Sequence, residues 1–190
     1  MNEKIAVLDI ETTWYDDVMS IGIVIGDMNT FDYNDSRYFL IEPFIDHKAK
    51  YHDEIYLEGI VPDLTDTREN VIREIIDYLK SREVTMVFAY NASFDLAHLP
   101  ELSHFEWYDI MAIAANKNHN SKIPHYYETY STGRLKRRYS AEDIYRLLSG
   151  DKQYKESHNA LLDTVDELKM MRMLGIKATD YKKCSYTKES

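Results

Sequence analysis

Hydrophobic and polar residues repeat with two different periods along the chain, and the change of period predicts an α/β fold. Short apolar runs typical of β-strands lie at 4–10, 18–26, 37–42 and 84–90. A helical stripe over residues 68–80 carries Val71, Ile72, Ile75, Ile76 and Leu79. Further helices are predicted to start near Phe94, to cover 109–117 and 140–148, and to run from Asn159 to Leu174.

The order of these elements predicts how the sheet is built. Three consecutive strands with short links favour an antiparallel meander, and the fourth strand can join it in parallel through the crossover helix. We therefore expect a mixed sheet flanked by helices in one domain, residues 1–176, followed by a short polar tail, residues 177–190. Residues 116–139 show no regular period and predict a long loop, which is functional or mobile in a compact domain.

Composition narrows the class of protein. The 190 residues contain no apolar run long enough to span a membrane, and the first residues show no signal-peptide pattern. Cys184 is the single cysteine, so an intrachain disulfide is excluded and a cytoplasmic protein is expected. The net charge of −10 argues against broad coating of duplex nucleic acid, but not against an enzyme that grips a few nucleotides.

Two acidic residues follow the first apolar run, in the stretch "IAVLDIETTW". Side chains alternate across a strand, so Asp9 and Glu11 leave the same face and repel each other. An edge strand that faces solvent would tolerate the pair. A divalent cation would relieve the repulsion, because hard ions prefer carboxylate oxygens.

Three other residues that can carry charge lie in or next to predicted helices. Asp95 lies at the start of a predicted helix, in "YNASFDL", while His158 precedes the last helix and Asp163 lies inside it, in "HNALLDT". Taken singly, each has a simpler explanation. Asp95 could be an acid that interacts favourably with the helix dipole, and Asp163 could lie on a solvated helix face with Asp166 and Glu167. His158 could be a surface histidine.

Taken together, the three segments resemble a known family. "LDIETT", "YNASFDL" and "HNALLDT" are similar, in this order, to the three motifs of the DnaQ-like (DEDDh) superfamily of 3′–5′ exonucleases. The resemblance extends to "SIGIVIG" at the second strand and "YDIMAIA" after the second motif, so it covers roughly residues 4–174. It implies a ribonuclease-H-like fold.

The resemblance also implies an active site. Asp9, Glu11, Asp95 and Asp163 would surround two Mg²⁺ or Mn²⁺ ions, and His158 would activate the attacking water. Thr12 and Asn91 would lie close by as substrate contacts. Trp14 directly follows the first motif, and two readings of it stay open: its ring stacks on a base, or it packs against the sheet.

The sequence departs from the family pattern at two places. Trp14 and Tyr15 stand where members commonly have glycine and leucine, so the usual grip on the terminal base is in doubt. Tyr90 stands where histidine is common before Asn91. Neither change touches an expected metal ligand.

The activity expected from the resemblance is metal-dependent hydrolysis of single-stranded DNA or RNA from the 3′ end to nucleoside 5′-monophosphates. Two alternatives are a catalytically silent interaction module of the same fold and a metal-dependent nucleotide phosphohydrolase. The intact motif positions argue against the first, and the lack of a Gly-rich phosphate loop against the second. The family includes proofreading subunits, so a DNA polymerase is a further candidate partner, although the short tail favours a free-standing or weakly associated enzyme.

Overall fold

One mixed β-sheet with helices on both faces forms the protein. We analysed it as a computed structural model that describes residues 3–43 and 51–184. Within these residues the strands are β1 (Lys4–Thr12), β2 (Val18–Asp27), β3 (Tyr33–Glu42), β4 (Leu64–Thr67), β5 (Met86–Ala89), β6 (Glu106–Asp109) and β7 (Lys182–Cys184). They lie in the order β4-β3-β2-β1-β5-β6-β7.

Helices connect and cover the strands. They are α1 (His52–Ile55), α2 (Arg68–Ser81), α3 (Ala92–His98), α4 (Met111–Ala114), α5 (Ala141–Ser149) and α6 (Ala160–Leu174). Short 3₁₀ turns cover Pro100–Leu102 and Ala178–Asp180. None of the described helices is long and apolar enough to cross a bilayer.

The predicted sheet topology is confirmed. Strands β1, β2 and β3 form an antiparallel meander, and β5 joins β1 in parallel after the crossover through α2. The longest predicted helices are also present, with Ser140 capping α5 through its side chain and Gly175 ending α6 in a left-handed conformation.

Edge elements differ from the prediction. The helix expected over 109–117 is only the single turn of α4, and Glu106–Asp109, which overlaps its expected start, forms strand β6. Strands β4 and β7 were not predicted, since three or four residues are too few to show a period of two.

The segment predicted as a polar tail contributes to the domain. Ala178 and Tyr181 are buried, and Lys182–Cys184 pairs with β6 in antiparallel register. Residues 185–190 lie outside the described part of the chain.

The two faces of the sheet bury separate cores. Ala6, Leu8 and Ile10 of β1 pack against α2, whereas Ile5 and Val7 point to the opposite face, where α6 lies. Because side chains alternate, Asp9 and Glu11 continue the Ile5–Val7 face toward α6. The strand pleat therefore decides which helix can meet these two acids.

Helix α6 approaches the sheet unusually closely at Gly22, the residue of β2 that pairs with Asp9. A Cβ atom at Gly22 would lie 2.1 Å from the backbone oxygen of Ala160, the first residue of α6. Four residues further along β2, a Cβ at Gly26 would lie 2.8 Å from the flexible side chain of Leu168 and 3.6 Å, an ordinary contact, from the backbone oxygen of Asp32. Gly22 thus lets the start of α6 rest directly on the strand beside Asp9.

Gly22→Ala should destabilise the protein, because the added methyl must displace helix backbone. Overpacking of this kind costs about 1–3 kcal/mol, and each kcal/mol lowers Tm by roughly 2–4 °C in a chain of this size. Gly26→Ala is the matched control, in which a flexible side chain can move aside. Thermal melts should show a larger loss for Gly22→Ala, and equal losses would contradict the close helix–strand contact.

Candidate active site

The first strand delivers two carboxylates to the end of the sheet. Asp9 and Glu11 are both partly buried, and they face the start of α6. The pairing of β1 with β2 shifts register between Glu11 and Thr12, so the regular ladder ends where the acids are placed. The end of β1 therefore presents polar side chains instead of continuing into a packed strand.

A third carboxylate comes from the helix after β5. Asn91 adopts a left-handed conformation with φ of 69°, which turns the chain sharply from the strand into α3. Asp95, in the first turn of α3, is only 2% exposed, and the backbone N–H of Ile10 donates to its carboxylate. Asp95 is thereby attached to β1 between Asp9 and Glu11.

Helix α6 supplies the fourth carboxylate. Asp163 lies in its first turn and is 5% exposed. The hydroxyl of Ser157 donates to Oδ1 of Asp163 at 2.9 Å, and the backbone N–H of Ser157 reaches the same oxygen at 3.3 Å. These two hydrogen bonds hold the approach to α6 and the Asp163 carboxylate together.

His158 lies in the loop immediately before α6, as its spacing from Asp163 predicts. Its backbone has φ of 53°, an uncommon conformation for a residue other than glycine. The imidazole stacks on the ring of Tyr51, with centroids 3.8 Å apart and planes 18° from parallel. This stacking and the turned backbone together set the direction of the histidine.

The next residue, Asn159, fixes this loop to the rest of the domain. It is fully buried, and its side-chain oxygen caps α6 by accepting the N–H of Leu162. Its side-chain nitrogen donates to the backbone oxygen of Glu54 at 2.6 Å and to the hydroxyl of Tyr38 at 3.3 Å. One asparagine therefore sets the position of both the helix and the preceding histidine.

These elements bring the predicted residues to one place. Glu11, His158 and Asp163 each offer a ligand atom within 4.8 Å of the others. Asp9 and Asp95 are close enough for their charges to interact with each other. The sequence separations are large, so the proximity results from the fold.

Burial raises the pKa values of these acids. Burial, and then the charge of Asp163, raises the pKa of Glu11 to about 9. Burial raises the pKa of Asp163 to about 6. The pKa values of Asp9 and Asp95 are also raised well above the usual range, chiefly by burial, with neighbouring carboxylates adding to the shift for Asp9. Without a cation, the site holds protons on carboxyl groups that would be ionised in water.

A further buried acid was missed from the sequence. Glu167 was grouped with a solvated helix face, but it is 3% exposed and lies one turn after Asp163. Its carboxylate accepts the backbone N–H of Tyr90 at 3.2 Å. Burial, followed by the charge of Asp95, raises the pKa of Glu167 well above its usual range. The i, i+4 spacing from Asp163 was the one signal that could have placed it on the inward face.

Glu156 adds a more peripheral acid at the same site. Burial, and then the charge of Asp163, raises the pKa of Glu156 to about 7. Its position in the loop before α6 has no helical or strand period from which its partial burial could be predicted.

The predicted substrate contacts lie around this centre. Thr12 is partly buried at the end of β1, and Asn91 is partly buried at the end of β5. Trp14 is 65% exposed in the turn after β1, so it is not a core residue. The turn itself is held by Thr13, whose hydroxyl accepts the N–H groups of Tyr15 and Asp17.

The donor set fits a hard divalent cation. Asp9, Glu11, Asp95 and Asp163 supply carboxylate oxygens, which Mg²⁺ and Mn²⁺ prefer. Cys184 lies on β7, three strands away from β1 in the sheet, so the described residues bring no thiolate to the site. Raised carboxyl pKa values are the electrostatic condition that a bound cation would reverse.

Several solved structures that share this fold are exonucleases. The nuclease domain of 3′hExo, described as a DEDDh family member and bound to rAMP, matches at a TM-score of 0.62 with 16% identity, over 90% of each chain. A 3′-exonuclease that recognises the histone mRNA stem-loop matches at 0.65 with 15% identity, over 99% of this chain and 72% of that one. Exonuclease X with 5′-overhanging duplex DNA matches at 0.56 with 22% identity, over 92% and 95%.

No protein-family model and no curated protein sequence matches the chain. The likeness is thus one of structure at low identity, and it supports the ribonuclease-H-like fold that the motifs implied.

Proposed function

We propose that this protein is a metal-dependent 3′–5′ exonuclease that hydrolyses single-stranded DNA or RNA to nucleoside 5′-monophosphates. The observation that carries the proposal is the meeting of Glu11, His158 and Asp163 within 4.8 Å beside two further buried carboxylates. The exonucleases that share the fold support the same conclusion.

Four carboxylates would hold the metal. Asp9 and Glu11 from β1, Asp95 from α3 and Asp163 from α6 would bind two Mg²⁺ or Mn²⁺ ions. When bound, the ions supply charge neutralisation of the phosphate, a more acidic water and stabilisation of the leaving oxygen. The protein's own contribution is to fix the carboxylates before substrate arrives, through the Ile10 and Ser157 hydrogen bonds.

His158 is the proposed general base. Its imidazole lies beside Glu11 and Asp163 and is oriented by Tyr51, so a water between them is within reach. The imidazole accepts a proton as the water oxygen bonds to phosphorus, and the bond from phosphorus to the 3′ oxygen of the preceding nucleotide breaks. The histidine must be neutral before this step, because only the neutral ring can accept the proton.

The surroundings suit the end of a single strand. Trp14 is exposed next to the metal-binding end of β1 and can stack on a base of any identity. Thr12 and Asn91 border the same centre and are the proposed polar contacts. A polymerase partner, which the family resemblance left open, gains no support from the fold and stays a prediction.

Digestion should start at a free 3′ end and require a divalent ion. A 5′-labelled single strand should give a ladder that shortens one nucleotide at a time in Mg²⁺ or Mn²⁺, and EDTA should stop the reaction. A 3′-phosphorylated strand should resist, because the proposed site accepts a terminal hydroxyl. Equal digestion of circular single strands would contradict the proposal, and phosphate release from free nucleotides would favour a phosphohydrolase.

His158→Ala should lower kcat by about 10²–10⁴-fold, the usual contribution of a general base. Metal affinity should change little, because the four carboxylates remain. The wild-type rate should rise with pH and then level off, since only the neutral ring can accept the proton. His158→Asn, which can hydrogen-bond but is not basic at these pH values, should be nearly as slow.

The measurement is kcat against pH for wild type and both variants. Retention of the wild-type rate and pH profile by either variant would remove His158 from the mechanism.

A further inference from the structure

A cavity opens beside the candidate active site at the same edge of the sheet. Strands β1, β5 and β6 run parallel, so their carboxyl ends reach one edge. Asn91 follows β5, Asp109 ends β6, and both line a cavity of about 590 Å³. This volume lies within the range of small-molecule sites, about 300–1,000 Å³.

The cavity combines an apolar wall with cationic side chains. Its lining includes Met111 and Ile113 of α4 as well as the cations Arg134 and Lys182. Both cations are exposed, and they come from separate segments: Arg134 from the loop over 116–139 and Lys182 from β7. A nucleotide is complementary to this lining, because its base and sugar have apolar faces and its phosphate is anionic.

The loop that supplies Arg134 has a charge opposite to that of the protein. Residues 116–139 contain six lysines and arginines and one acidic residue, Glu128, whereas the whole chain has a net charge of −10. A localised basic surface on an acidic protein favours an anionic partner at that place.

The loop over 116–139 is held by internal β-bridges and by a hydrogen bond to the end of β5. Bridges join Asn116 to Arg134 and Thr129 to Leu135. The guanidinium of Arg134 lies over the ring of Tyr139, 5.7 Å from its centroid. Tyr90 directly precedes Asn91, and its hydroxyl donates to the backbone oxygen of Tyr139 at 2.5 Å. Tyr90, at the position where the family commonly has histidine, thus connects the basic loop with the end of β5.

Asp109 is the acidic residue of the cavity wall, and its carboxylate is occupied. The backbone N–H of Ala112 donates to its Oδ1 at 3.2 Å, and the backbone N–H groups of Asn91 and Met111 also interact with the carboxylate. These donors hold the turn into α4, and the charge of Asp109 also interacts with that of Arg134, which keeps the guanidinium at the cavity.

We propose that this cavity binds a nucleotide of the single strand whose end occupies the active site, with Arg134 and Lys182 contacting its phosphate and α4 packing against its base or sugar. The inference rests on the proposed nucleic-acid substrate and specifies where the strand lies: over β6 and β7, on the Asn91 side of the metal-binding residues.

The test is binding of a fluorescent single-stranded oligonucleotide by wild type and by Arg134→Gln/Lys182→Gln. Ca²⁺ and a phosphorothioate 3′ linkage are used to suppress hydrolysis, so that binding is measured without turnover. Loss of two charged contacts should weaken binding roughly tenfold or more. The slope of log K against log salt should become shallower by about 0.7, the contribution of one phosphate contact on a single strand.

Arg73→Gln/Lys80→Gln is the matched control. It removes one arginine and one lysine from exposed positions of α2, on the other face of the sheet, and should leave affinity and salt slope unchanged. Arg134→Lys/Lys182→Arg keeps both charges and should restore binding, which separates loss of contact from misfolding.

Two results are decisive. Equal affinity and slope in the two glutamine variants would overturn the cavity assignment, even if the enzyme degrades 3′ ends. Cavity-dependent binding by a protein that hydrolyses no strand in Mg²⁺ or Mn²⁺ would support the cavity as a binding site and reject the exonuclease proposal.

Discussion

Mutual repulsion of buried carboxylates is the constraint on which the rest of this structure depends. Asp95, Asp163 and Glu167 are buried at one end of the sheet, and the partly buried Asp9 and Glu11 lie beside them. Burying like charges together is unfavourable unless protons or cations neutralise them. The fold must therefore be held by other contacts strongly enough to keep the acids in place.

Those contacts are specific and local. Gly22 lets the start of α6 lie on β2 opposite Asp9, and Asn159 fixes the loop that carries His158. The Ile10 N–H holds Asp95, and the Ser157 hydroxyl holds Asp163. Each is a backbone or buried side-chain interaction that does not depend on a metal, so the apolar cores on both sheet faces can support the acidic site.

Much of this arrangement could be predicted from the sequence, because the strongest signals are periodic and local. The long strands β1 and β2 and the helix α2 carry clear apolar patterns, and α6 is bounded by the capping residue Asn159 and by Gly175. Alternation alone places Asp9 and Glu11 on one face. The strands β4, β6 and β7 could not be predicted, since each has three or four residues and, unlike the equally short β5, no continuous apolar run.

Glu167 shows a different limit. An acid on a helix is usually solvated, and only the packing of α6 on the sheet reveals that this one is buried beside Asp95. The basic loop over 116–139 likewise has no period, and its position next to Asn91 follows from the two bridges and the Tyr90–Tyr139 hydrogen bond. Tertiary contacts decide both features.

Calorimetric titration with Mn²⁺ tests most directly whether cations relieve the carboxylate repulsion. Metal-free Glu11, with a pKa of about 9 against an ordinary value of 4.5, holds its proton at pH 7 and must release it to bind an ion. Titrations at pH 7 in two buffers of different ionisation enthalpy should reveal proton release, smaller in Glu11→Gln and unchanged in the surface control Glu106→Gln. Absence of Mn²⁺ binding, or binding without proton release in the wild type, would contradict the account.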